Sequence, residues 1–173
     1  MKSLALLLLI FTPLFAQVAE KTLPFPSTST EADEVLSLPF EPEVLSLDER
    51  AEKEMLAFVN EERRKLGLKE LVVDLELVQV ARLHSFDMWE RQYFAHKNPD
   101  GETPFDRMIE ENIDFDKAGE NLALARSTER AHRGLMNSAG HKRNILDPKF
   151  GRIGIGAVDG GPYGKMFTQE FAD

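Results

Sequence analysis

The chain opens with an export signal and contains no cysteine. In MKSLALLLLIFTPLFAQ a single Lys2 precedes an unbroken apolar run from Leu4 to Phe11, followed by Pro13 and the small Ala16. This pattern reads as a secretory signal peptide over residues 1–16, cut after Ala16, with Ala19 as the alternative. The run is far short of the ~20 residues a spanning helix needs and no second one follows, so no transmembrane segment is expected in the mature chain. The protein is expected outside the cytoplasm, in the periplasm or the medium. Small exported domains commonly lean on disulfides; a disulfide-free one has to stand on a buried core.

From Gln17 to about Ser46 the composition changes, with Pro24, Pro26, Pro39 and Pro42 among Ser27 to Thr30 and the acids Glu31, Asp33 and Glu34. Such a stretch reads as a disordered leader. No internal repeat follows, so a single domain is expected over residues 47–173, as a monomer. Loss of Lys2 with the signal takes the net charge from −9 to −10, which argues against nucleic acid or an anionic membrane as the main partner.

Ser46 and Glu49 have capping-box spacing, and Leu47, Ala51, Met55, Phe58, Val59 and Leu66 recur at helical intervals up to Gly67. A second helix is predicted from an N-cap at Asp74, with Leu77, Ala81, His84 and Met88 on one stripe, so His84 points into the core as a hydrogen-bonded structural residue. Trp89, Tyr93 and Phe94 are expected to cover core. A short helix begins at Pro104, where a missing N–H costs nothing, and another spans Ser127 to Ser138. At the end, Ile153, Ile155 and Ala157 alternate, glycines intervene, and Phe167, Gln169 and Phe171 alternate again, which predicts an antiparallel hairpin. Helices followed by a terminal hairpin imply an α+β fold.

His96, Glu120 and His141 fall in or beside the predicted loops. Two imidazoles and a carboxylate suit a divalent cation such as zinc, with magnesium or calcium as alternatives, and they suit equally a metal-free network that orients loops. Their separation in sequence is not that of a local zinc motif. Asn121 and Gln169 read as supporting amides bonded to backbone. Ser138 and His141 stand three apart as a nucleophile and base would, without a nucleophile-elbow sequence around them. His132 is placed on a solvated helix face, and Lys142 and Arg143 beside His141 are read as charges facing water.

The ordered set FAHKNPDG, GENLA, LMNSAGHKRNIL, IGIG and FTQEF, spread over Leu47 to Phe171, resembles the CAP superfamily (SCP-like extracellular domain) in its bacterial form. The resemblance implies a three-layer α-β-α sandwich with a small antiparallel sheet and a central cavity lined by two His and two Glu. His96, Glu120 and His141 match three of the four. The fourth does not match, because Leu135 and Ser138 stand where animal and plant members have Trp and Glu. Glu129 and Glu170 are the candidates to replace it, and the period-2 pattern turns Glu170 away from the face of Phe167 and Phe171. What the resemblance implies about function is a binding module for a small apolar (lipid) or peptide/cell-envelope ligand, centred on His96, Glu120 and His141. A secreted hydrolase using the same residues is the alternative.

Overall fold

The computed structural model describes residues 36–39 and 41–173. The predicted signal peptide and the predicted leader up to residue 35 lie outside the described residues. Helix α1 (Glu49–Lys65) is capped by Asp48, whose carboxylate accepts from Ala51 N, and not by Ser46 as the spacing suggested. Ser46 is unavailable because β2 (Ser46–Leu47) pairs antiparallel with β6 (Arg152–Asp159). Further upstream β1 (Leu36–Ser37) pairs with β4 (Tyr93–Phe94), and Leu38 N donates to Gln92 O at 2.8 Å. These pairings hold residues upstream of Leu47 against the rest of the fold.

After the short β3 (Val72–Val73), helix α2 (Leu75–Glu90) starts at Asp74, whose side chain accepts from Glu76 N and Leu77 N, the predicted cap. Helix α3 (Pro104–Glu110) begins with a reciprocal box between Thr103 and Asp106 and carries Pro104 in its first turn. The stretch AGENLALA forms strand β5 (Ala118–Ala125). Helices α4 (Thr128–Asn137) and α5 (Ala139–Leu146) follow, then the predicted hairpin of β6 and β7 (Lys165–Ala172).

The main sheet runs β2-β6-β7-β5, with β3 parallel to β6, and is covered on both faces. Alternation along β7 sends Phe167, Gln169 and Phe171 to the side of α1, α4 and α5, where Met55, Val59, Leu135 and Ile145 complete that core. Met166, Thr168, Glu170 and Ala172 face the other way, toward α2 and α3. The result is the three-layer α-β-α sandwich. Burying both faces supplies the apolar area that a disulfide-free domain of this size depends on.

The IGIG motif explains how closely α2 lies on the sheet. A Cβ on Gly154 would stand 2.1 Å from the Leu77 backbone, and one on Gly156 would stand 2.4 Å from that of Ala81. No side chain fits there, so the helix sits directly on bare strand. On the opposite face the fully buried Arg63 of α1 donates to the carbonyls of Lys69, Ile145, Asp147 and Phe150. That guanidinium ties α1 to the end of α5, and thereby fixes the helix that carries His141. His132 is not on a solvated face as expected: it stacks on Phe58 of α1 with ring centroids 5.3 Å apart.

Candidate functional site

Strand β5 lies at one edge of the sheet among the described residues, and the expected site residues gather around it. Glu120 is its third residue rather than a loop residue, and its side chain points toward α2 and α3. Register places it directly opposite Glu170. Asn121 next to it is directly opposite Gln169 on the other face.

His96 follows β4 in a loop shaped by Asn98, whose Oδ1 accepts from Asp100 N and Glu102 N while Gly101 turns the chain at φ +90°. The loop presents the half-exposed imidazole to Glu120, with Nδ1 and Oε1 2.5 Å apart. The second oxygen, Oε2, accepts from Arg107 Nη2 at 2.7 Å. Arg107 Nη1 also donates to His96 O at 3.2 Å and Glu102 O at 3.3 Å, so one guanidinium fixes both the carboxylate and the loop. Sequence reasoning passed over this residue, although Pro104, Arg107 and Met108 form the buried side of a short helix and an arginine there is a signal.

His84 lies behind Glu120, fully buried as expected, with Nε2–H donating to Ala95 O at 3.0 Å and standing 3.7 Å from Glu120 Oε2. Burial pushes the His84 pKa down, the Glu120 charge opposes this and the Arg107 charge adds to it. Burial pushes Glu120 up, but the His84 and His96 imidazoles and the Arg107 guanidinium more than reverse it and bring its pKa to about 2. Glu120 is therefore an anion, and His96 Nδ1 is the donor in their bond.

Glu170 is the counterpart. Both its oxygens are buried without a donor, and the Arg107 guanidinium is 3.9 Å away and already committed to Glu120. Burial, together with the Glu120 charge across the strands, raises its pKa well above the ordinary carboxylate range. The side chain is thus a neutral acid whose proton can be donated to Glu120. The alternation was read correctly, but the face opposite Phe167 and Phe171 is a second buried layer that contains Glu120.

His141 is the third residue of α5, on the other side of β5. It is close enough to His96 for a charge there to depress its pKa, after the larger effect of burial. The amides do structural work: Asn121 Nδ2 donates to His141 O at 3.1 Å and to Gln169 Oε1 at 3.0 Å. Asn144 Nδ2 donates to Asn121 Oδ1 at 2.9 Å and to Glu120 O at 3.2 Å, which locks α5 to β5. Ser138 begins α5, and its hydroxyl is buried with no hydrogen-bond partner, so it makes no nucleophile-base bond with His141.

These residues do not fit a divalent cation held by His96, Glu120 and His141. Both oxygens of Glu120 are taken, and Arg107 supplies a fixed positive charge where a cation would sit. Among the described residues no group of three or more His, Asp or Glu side chains stands close enough to ligate one ion. His84 and Arg107 also wall a cavity of about 210 Å³ between α2 and α3, and a second of about 390 Å³ lies at the β6–β7 turn. Neither of these two is lined by His96, Glu120 or His141. No helix among the described residues is long and apolar enough to cross a membrane.

A sandwich of this layering, with two histidines and a glutamate meeting at its edge strand, defines the class. The chain belongs to the CAP family, described as the cysteine-rich secretory protein family, whose model matches residues 56–171. It is 42% identical over 121 residues to the protein YkwD of Bacillus subtilis (strain 168), covering 69% of this chain and 46% of that one. It spans less than half of the length of the curated relatives it matches. Among solved structures it is similar to an extracellular protein containing an SCP domain from Bacillus anthracis str. Ames, with 32% identity and a TM-score of 0.65 over 72% of this chain and 41% of that one. An outer surface protein of Borrelia burgdorferi shares the fold, with a TM-score of 0.70 at 23% identity over 75% of this chain and 98% of that one.

Proposed function

We propose that the protein is an exported binding module that takes a small apolar or peptide/cell-envelope ligand at the edge of β5, between His96 and His141. The export half of this reading rests on the signal-like N-terminus and on relatives whose names describe extracellular and outer-surface proteins. One observation carries the binding half. Glu120 accepts from both His96 and Arg107, and its pKa of about 2 leaves it too weak a base to move a proton near neutrality. Its work is to hold the half-exposed His96 ring in one orientation, as a contact surface requires.

The hydrolase alternative needs either a metal set or an activated serine, and the residues at hand match neither. The test pairs binding with turnover. Wild-type protein and the His96→Ala/His141→Ala double variant are incubated with purified cell-wall sacculi, a fluorescent fatty acid and a capped peptide, and the wild type is assayed on casein and on a p-nitrophenyl ester. Retention of at least one ligand by wild type alone, without turnover, is expected. Hydrolysis that disappears in a folded Glu120→Gln variant would overturn the reading.

A further inference from the structure

The direction of the backbone hydrogen bonds across the sheet shows which groups of β5 are left over. Asp48 N donates to Ala157 O at 2.9 Å, in line with the β2–β6 register, so Ala157 turns its backbone to β2. Directions alternate along an antiparallel ladder, so Gly154, Gly156 and Val158 turn toward β7. Their partners Glu170, Thr168 and Met166 turn toward β6, which leaves Phe167, Gln169 and Phe171 to bond with Ala123, Asn121 and Gly119. The backbones of Glu120, Leu122 and Leu124 therefore point away from the sheet. Asn144 bonding to Glu120 O from outside agrees with this assignment.

Apart from that one bond, the outward groups have no partner among the described residues. The N–H groups of Glu120, Leu122 and Leu124 and the carbonyls of Leu122 and Leu124 are unmatched. One feature makes this more than an ordinary strand edge. Edges meant to stay bare are usually blunted by charge, proline, a bulge or shortness, and the stretch from Asn121 to Ala125 has none of these within an eight-residue strand of continuous register.

We propose that the ligand is an extended peptide segment that adds a strand along the outer edge of β5 at Leu122 and Leu124, with its neighbouring residues against His96 and His141. An alternating row of donors and acceptors is matched by an extended peptide backbone, whereas a lipid chain would leave every group unpaired. Pairing stops at Glu120, where Asn144 already occupies the carbonyl, and this is where the two imidazoles stand. The inference rests on the binding reading above and narrows it to one ligand class.

The test uses ¹⁵N-labelled mature protein titrated to millimolar concentration with acetyl-Thr-Val-Thr-Val-Thr-amide, and with a twin peptide N-methylated at every residue. The Leu122 and Leu124 amides are expected to shift downfield and to exchange more slowly with the first peptide and not with the twin. Equal effects of both peptides, or shifts confined to the His96 and His141 rings, would overturn strand addition while leaving the binding reading intact. Unchanged edge-amide shifts in the His96→Ala/His141→Ala variant would support strand addition and overturn the role given to the histidines. Protection of the same amides without peptide, in a protein that sediments as a dimer, would make a second copy the occupant and overturn the proposal.

Discussion

Glu120→Gln tests the central electrostatic argument, because it keeps the shape of the side chain and removes its charge. In the folded protein the carboxylate accepts from Arg107 Nη2 at 2.7 Å and from His96 Nδ1 at 2.5 Å. An amide retains one acceptor oxygen and sets an NH₂ against one of these two donors. Breaking a buried ion pair so that one charge is stranded costs about 3–5 kcal/mol, and Arg107 is only 9% exposed. For a domain of this size about 4 °C accompanies each kcal/mol, so a drop of roughly 10–20 °C in Tm at pH 7 is expected. The sign with pH follows from the depressed pKa. The stabilisation is fully present above 4.5 and is lost as pH falls toward 2, so the two proteins should converge in acid. Thermal melts by circular dichroism at pH 7, 5, 4 and 3 provide the assay. A gap under about 3 °C at pH 7, or one that stays constant down to pH 3, would refute the assignment of Glu120 as a buried anion held by Arg107.

Three further substitutions test other parts of the same structure. Glu170 has a raised pKa, so its contribution is full below the ordinary carboxylate value and is lost as pH rises toward the folded one. Glu170→Gln should therefore raise the urea midpoint at pH 7 and give no gain at pH 3.5, since a neutral side chain no longer has to take up a proton on folding. A loss at pH 7 would mean that the ionised form is the one in place. Gly156→Ala drives a Cβ into the Ala81 backbone at 2.4 Å and should cost more than about 3 kcal/mol or prevent soluble expression. Gly134→Ala, in α4 with open space around the new Cβ, should gain up to ~1 kcal/mol in the same urea titration.

Local chemistry made much of this architecture readable from the sequence. Asp74 and Pro104 mark helix starts because a cap or a missing N–H acts within one turn, and the alternation through Phe167, Gln169 and Phe171 marks a strand because it depends on neighbours two residues apart. The inward direction of His84 followed from helical spacing alone. Ser46 failed as a cap because its backbone is taken by Asp159, a partner more than a hundred residues away. Glu120 was placed in or beside a loop, and it is a strand residue through pairing with β7, a partner about fifty residues further along the chain. Arg107 and Asn144 entered the site only through tertiary structure: their contacts with Glu120 cross from α3 and α5, and no spacing rule reaches that far. Charge state was decided at the same level. Glu120 and Glu170 are the same residue type on facing strands, and one is ionised and the other neutral because a single buried guanidinium can bond closely to only one of them.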